Sequence, residues 1–335
     1  MSKKLIGQLA AAAVVAMGAV ITVAVEPADA AAPRPVHAPG RSVADPGLVR
    51  ANDNFYSFTT GRLIHVGETA SGTWTNTGSA LATRGKWAKV AGMWAPDAVK
   101  TSAGWVLYYS APAKRFGGQH CIGVATAKSV TGPFRPSGDT PLVCPGGRHG
   151  AKDKVTGRPV RKAGVSDPSP FQDSQGRRYL LYKTQKTPST LRMLRLNDAG
   201  TNWVGNRSRE LVQRRGVIEN PVMVQRGSRF VLFASRYRYH NCSYATVYFD
   251  SGNRWKFAGR QEHNLLSTNN SGICGPGGAD VVRALGNGWR VFLHGWVCGS
   301  GTEACKPKPT GAHRRALYAA VLKWDGATPR IGTFL

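Results

Sequence analysis

The chain has 335 residues and carries 45 Lys and Arg against 18 Asp and Glu, a formal net charge of +27. Beyond the first thirty residues no stretch is long and apolar enough to cross a bilayer, and no recognition motif for nucleic acid accompanies the charge, which argues against a membrane-embedded protein and a nucleic-acid module. The roughly 300 residues that remain can bury one substantial core, and their basic surface suits polyanions outside a cell, such as acidic polysaccharide, or serves solubility alone.

In chain order, Lys3 and Lys4 precede an apolar run from Leu9 to Val25 and then Ala28-Asp29-Ala30. This reads as a signal peptide over residues 1–30 cleaved after a small residue; an uncleaved anchor is the alternative, although the run is near the short end for a spanning helix. Residues 31–40, with Pro33, Pro35 and Pro39, form an N-terminal tail. From residue 41 to 335 an acidic residue is followed five times, some ten positions on, by a strand-like run of aromatic and β-branched residues. Asp45 precedes Asn54-Phe55-Tyr56-Ser57-Phe58, Asp97 precedes Trp105-Val106-Leu107-Tyr108-Tyr109, and Asp167 precedes Tyr179-Leu180-Leu181-Tyr182. Glu219 precedes Phe230-Val231-Leu232-Phe233, and Asp280 precedes Trp289-Arg290-Val291-Phe292-Leu293-His294. Units of roughly 50 to 70 residues are large enough for one four-stranded propeller blade each. Amphipathic helical periodicity is weak throughout, so the expected fold is all-β, a five-bladed β-propeller in a single domain, with the five acids in one phase around a central funnel.

Cys121, Cys144, Cys242, Cys274, Cys298 and Cys305 all follow the leader, and an even count in a secreted chain favours disulfides. Proximity in sequence pairs Cys121 with Cys144, Cys242 with Cys274 and Cys298 with Cys305, and no C-x-x-C points to zinc. Between Arg148 and Lys162 six basic residues, among them Lys152, Lys154, Arg158 and Arg161, stand against Asp153 alone and read as a solvated loop or a seat for an anionic polysaccharide.

Four of the acids lie within two residues of a proline: Asp45-Pro46, Pro96-Asp97, Asp167-Pro168 and Glu219-Asn220-Pro221. Proline restricts the residue before it, which predicts an extended backbone and a preset side-chain direction at these acids. Carboxyls converging on a funnel are what acid/base cleavage of a glycosidic bond requires.

Taken together, Asp45-Pro46, Trp94-Ala95-Pro96-Asp97, Asp167-Pro168-Ser169 with Phe171 and Asp173, the Glu219 segment, Gly275-Pro276-Gly277-Gly278 and the strand ending at His294 resemble glycoside hydrolase family 43. The resemblance implies a five-bladed propeller and hydrolysis of arabinose- or xylose-containing glycans with inversion. It implies Asp45 as general base, Glu219 as general acid and Asp167 as the carboxyl that tunes and orients the acid. Two positions depart from the family pattern: Asn220 stands where a glycine often follows the acid, and Gly278 where a histidine often follows Gly-Pro-Gly.

Trp94 and Asp97 are the candidate substrate-binding residues. Trp94 is either a stacking wall for a sugar ring or a core tryptophan between blades, and Asp97 chiefly orders its blade by accepting backbone hydrogen bonds, as Asp280 does. His294 faces the channel, where the resemblance implies a calcium ion or a water cluster. The absence of G-x-S-x-G, P-loop and H-E-x-x-H motifs excludes the corresponding chemistries, and none of the steps requires a cofactor. The expectation is therefore a secreted, monomeric hydrolase of α-L-arabinofuranosyl linkages in arabinan or arabinosylated plant cell wall. The alternatives are a xylan-acting enzyme of the same family and a non-catalytic propeller that binds polyanionic glycans.

Overall fold

The computed structural model describes residues 32–335 apart from 62, 91, 115–118, 145–163, 300–302, 304 and 306–312. The leader and the basic loop between Arg148 and Lys162 thus lie outside the described residues. Residues Ala32–Leu335 make one compact unit, and among the described residues no helix is long and apolar enough to cross a membrane.

Five antiparallel sheets of four strands follow one another, each a meander in chain order. Blade 1 holds β1 (Gly47–Ala51), β2 (Asn54–Thr59), β3 (Leu63–Gly67) and β4 (Trp74–Ser79), and blade 2 holds β5 (Trp94–Thr101), β6 (Gly104–Pro112), β7 (His120–Ala127) and β8 (Arg135–Pro136). Blade 3 holds β9 (Val165–Gln172), β10 (Arg178–Thr184), β11 (Ser189–Leu196) and β12 (Trp203–Arg214), and blade 4 holds β13 (Ile218–Arg226), β14 (Arg229–Arg236), β15 (Ala245–Ser251) and β16 (His263–Leu266). Blade 5 holds β17 (Cys274–Arg283), β18 (Trp289–Cys298), β19 (His313–Asp325) and β20 (Thr328–Phe334). The fold is the expected five-bladed propeller.

The apolar runs sit on the second strand of each blade because that strand is covered on both faces. In β6, Trp105, Leu107 and Tyr109 pack toward blade 1, whereas Val106 and Tyr108, offset by the pleat, pack toward blade 3. The same division recurs at every blade interface, and the ring closes where Phe292 and Leu317 meet Leu48, Phe55 and Trp74. Truncating a buried residue such as Leu107 to Ala costs about 2–5 kcal/mol. The tail is part of the closure: His37 pairs with Leu317 through two backbone bonds of 3.2 and 2.8 Å, and the Val43 N–H donates to the Arg315 carbonyl at 2.8 Å. These residues line the part of β19 that precedes its pairing with β20.

At the channel the five inner strands share a corner. Asp45 (φ 51°), Ala95 (39°), Asp167 (54°), Asn220 (48°) and Gly278 (60°) all adopt the left-handed conformation. Such backbone costs an L-residue about 1–2 kcal/mol, and it corrects the expectation that proline holds the preceding acid extended. Of the five corner residues Asp45, Asp167 and Asn220 line the cleft at one end of the channel, and in blades 2 to 5 the corner coincides with a break in register between first and second strand.

Candidate active site

The shared corner sorts the five acids into different levels, which corrects the expectation of a single phase. The corner positions themselves carry Asp45 and Asp167. Two residues further along, a second ring carries Gly47, Asp97, Ser169, Val222 and Asp280, and both rings line a narrow channel of about 30 Å³, room for about one water. Glu219 belongs to neither ring, since it precedes the corner at Asn220.

Above the corners opens a cleft of about 210 Å³ lined by Asp45, Thr60, Trp94, Ser166, Asp167, Lys183, Gln185, Glu219, Asn220, Tyr239 and Arg315. The structure thus brings Asp45, Asp167, Glu219 and Trp94 together. It places Asp97 outside that cleft, in the lower ring, where its Oδ1 accepts the Ala98 N–H at 2.8 Å. Burial, reinforced by Asp280, pushes the Asp97 carboxyl well above the usual range, and burial pushes Asp280 up to about 6 although its oxygens accept the Leu48 and Val281 N–H groups.

Asp45 accepts the Thr60 hydroxyl on Oδ2 at 2.7 Å and faces the Arg315 guanidinium across 3.4 Å on Oδ1. Thr60 is fixed in turn by the Ala95 N–H, 3.0 Å away. The Asp167 N–H donates to the buried Ser110 hydroxyl at 3.2 Å, and its Oδ2 accepts the Asn220 N–H at 3.2 Å. Burial raises Asp167 to about 7; Lys183 opposes the rise, and Glu219 and Asp45 add to it. Three carboxyls so close cannot all ionise independently, and the proton held near neutral pH is a property of the cluster.

Glu219 has a polar partner at each oxygen. The Lys183 ammonium lies 2.6 Å from Oε2, and the Tyr244 hydroxyl, whose single proton serves either Glu219 Oε1 at 2.8 Å or Asn220 Oδ1 at 2.7 Å, lies at the other. Burial, with Glu219 and Asp45 nearby, holds the Tyr244 phenol protonated far above its ordinary range, so it remains a donor.

Both departures from the family pattern have a backbone reason. Asn220 occupies a left-handed corner, where asparagine is the side chain that best replaces glycine. At Gly278 a Cβ would come within 2.7 Å of the His294 ring, so the imidazole closes that corner.

His294 is fully buried, held neutral by burial and by Arg315, and its Nδ1 accepts the Asp45 N–H at 3.1 Å. A neutral ring that accepts on Nδ1 carries its proton on Nε2, and that nitrogen is buried without a protein partner. It is therefore a donor, suited to a water and unsuited to direct ligation of calcium. Among the described residues no three His, Cys, Asp or Glu side chains are gathered to hold a metal.

Trp94 is 40% exposed at the cleft wall, with its indole stacked on His120 at 3.6 Å between centroids. His120 donates from Nε2 to the Gly92 carbonyl, with the donor assigned to the neutral ring, and burial lowers it to about 4. The three disulfides pair as sequence proximity predicts, Cys121–Cys144, Cys242–Cys274 and Cys298–Cys305. All are at the cleft end: Cys121 opens β7, Cys274 opens β17, Cys298 ends β18, and Cys242 lies between β14 and β15.

Sequence reasoning missed Lys183, Arg315, Tyr244, Tyr239, Thr60 and His120. Lys183 alone left a signal, as a cation ending the apolar run Tyr179-Leu180-Leu181-Tyr182.

The model of the glycosyl hydrolases family 43 matches residues 34–317, whereas no curated protein matches the chain. Among solved structures, a thermostable family-43 glycoside hydrolase superposes with a TM-score of 0.69 at 18% identity over 88% of this chain and 94% of the other. The α-L-arabinanase of Cellvibrio cellulosa complexed with arabinohexaose gives 0.67 at 20% identity over 87% and 95%. An endo-1,4-β-xylanase from Bacteroides thetaiotaomicron gives 0.66 at 18% identity over 90% and 97%. With its propeller, its acids and the family match spanning most of its length, the chain belongs to glycoside hydrolase family 43.

Proposed function

We propose that this protein is a secreted, inverting hydrolase of α-L-arabinofuranosyl linkages in arabinan or arabinosylated plant cell wall, with Asp45 as general base and Glu219 as general acid. The observation that carries this reading is the single cleft shared by Asp45, Asp167 and Glu219 beside the exposed Trp94. Asp45 takes a proton from water as the water oxygen bonds to the anomeric carbon. Glu219 gives a proton to the glycosidic oxygen on the opposite face as the carbon–oxygen bond breaks, which inverts the centre and leaves two free sugars. Asp167, raised by burial and by the Glu219 and Asp45 carboxyls beside it, competes with Glu219 for the proton that the cluster holds and so tunes and orients the acid side. Thr60 and Arg315 aim the Asp45 oxygens, and Trp94 offers an apolar face to a sugar ring. Water is the only co-reactant.

Arabinan is favoured because several fold neighbours are arabinanases, one of them with arabinohexaose. The second reading, xylan, rests on the xylanase neighbour. The deciding experiment offers nitrophenyl arabinofuranoside, nitrophenyl xyloside and linear arabinan to the purified protein, with NMR of the first-formed anomer. Release of arabinose with inversion supports the proposal, xylose alone favours the second reading, and no hydrolysis leaves a glycan-binding propeller.

The leader and three disulfides support export, and the protein acts as a monomer. The basic loop at Arg148 to Lys162 seats anionic wall polysaccharide. Retention on pectate that falls steeply as the Debye length drops to about 10 Å supports this, and equal retention after neutralising Lys152, Lys154, Arg158, Arg161 and Lys162 overturns it.

A further inference from the structure

Lys183 stands where the alternation of its strand calls for an apolar residue. Along β10, Tyr179 and Leu181 point into the core shared with blade 4, and Leu180 and Tyr182 point into the core shared with blade 2. Lys183, next in the first series, is directed by the pleat toward blade 4. Its side chain is only 12% exposed, and its ammonium meets the Glu219 carboxylate, itself 10% exposed, at 2.6 Å. A buried cation needs a partner, and the register break at the Asp167 corner sets Lys183 opposite Ser166, next to that corner.

The groups that face this ammonium are Glu219 from blade 4, Asp167 from blade 3 and Asp45 from blade 1. The Tyr244 hydroxyl lies against the other Glu219 oxygen and stays protonated, and Arg315 from blade 5 serves Asp45. One cation is therefore committed to the acid side of the cleft and another to the base side. We propose that Lys183 is a positioning residue for the acid: it aims Glu219 into the cleft and sets the alkaline limit of activity.

The inference rests on the assignment of Glu219 as general acid. Removing a buried positive charge beside three carboxyls favours every protonated form of the cluster, most of all in Glu219, its direct partner. The test compares kcat/KM against pH on an unactivated arabino-oligosaccharide for the native enzyme, Lys183→Met and Lys183→Arg. Methionine keeps the length and suits the surrounding core, and Lys183→Gln is the substitute if it fails to fold.

The expected result is an alkaline limb displaced upward by about one pH unit or more in Lys183→Met, the usual size of an opposite-charge effect at this range. The limb stays near its native position in Lys183→Arg. A parallel carbon-13 titration of the Glu219 carboxyl in an Asp45→Asn background reads the coupling without activity, and Lys183→Met displaces it upward as well. If that titration stays in place, the coupling is absent and the proposal falls. If it moves while the kinetic limb does not, Glu219 is not the acid, and the role of Lys183 in setting the limit falls with that assignment.

Discussion

The imidazole of His120 lies against the inner face of the Trp94 indole at 3.6 Å between centroids, so the outer face of the tryptophan is presented to the cleft as a supported wall. The support is uncharged over the working range. Burial holds His120 at about 4, so near neutral pH the ring neither attracts nor repels a ligand. His120→Ala is expected to leave Trp94 free to rotate, raising KM several-fold with a smaller change in kcat. Steady-state kinetics on an arabino-oligosaccharide check this, and an equal fall in kcat alone would show that the wall does not bind substrate.

Asp45→Asn and Glu219→Gln keep volume and most hydrogen bonds while each removes one proton-transfer partner. Each is expected to lose at least about a hundredfold in kcat on an unactivated oligosaccharide, the usual scale of general acid/base catalysis. Circular dichroism should show both folded. A variant that keeps more than a tenth of native activity refutes the role given to that residue.

The buried pair Asp97 and Asp280 makes stability depend on pH in an unusual sense. Both carboxyls are raised in the folded protein, Asp280 to about 6. Between about pH 4 and pH 6 the unfolded chain therefore releases protons that the folded one retains, and this contribution to stability falls as pH rises through that window. Asp97→Asn, which can still accept the Ala98 N–H, is expected to raise the melting temperature at pH 8 by a few degrees and to give no gain at pH 4. Equal shifts at both pH values would contradict this.

Reduction of the three disulfides opens loops of 23, 32 and 7 residues, worth about 2–4 kcal/mol each by loop entropy. Because every bridge is at the cleft end, reductant is expected to lower hydrolysis before it lowers the β signal in circular dichroism. Coincident loss of both would mean that the bridges hold the whole propeller.

Much of the fold was legible because the second strand of each blade is buried on both faces, which forces runs such as Trp105-Val106-Leu107-Tyr108-Tyr109 that no half-exposed strand would tolerate. Asp45, Asp167 and Glu219 were legible through their prolines and their resemblance to a family. What stayed hidden depends on counting within a corner. Asp97 lies two residues beyond Ala95 and Asp167 lies on its corner, and only the left-handed turn tells the levels apart. Lys183, Arg315 and Tyr244 reach the cleft from second and third strands or the loops beside them; Lys183 and Arg315 meet partners from the next blade and Tyr244 meets one 25 residues back in its own, pairings that no local pattern encodes.

The shared corner also bears on how such a protein changes over time. Five positions hold one backbone shape, and at four of them the chain already tolerates a side chain: aspartate twice, asparagine and alanine. Chemistry at the channel mouth can therefore be rewritten one side chain at a time, with no rerouting of the main chain. Ala95 is the socket that holds no functional group, whereas Gly278 is barred by the ring of His294. The wall of the channel is one backbone shape used five times, and the side chains that stand on it set the chemistry at its mouth.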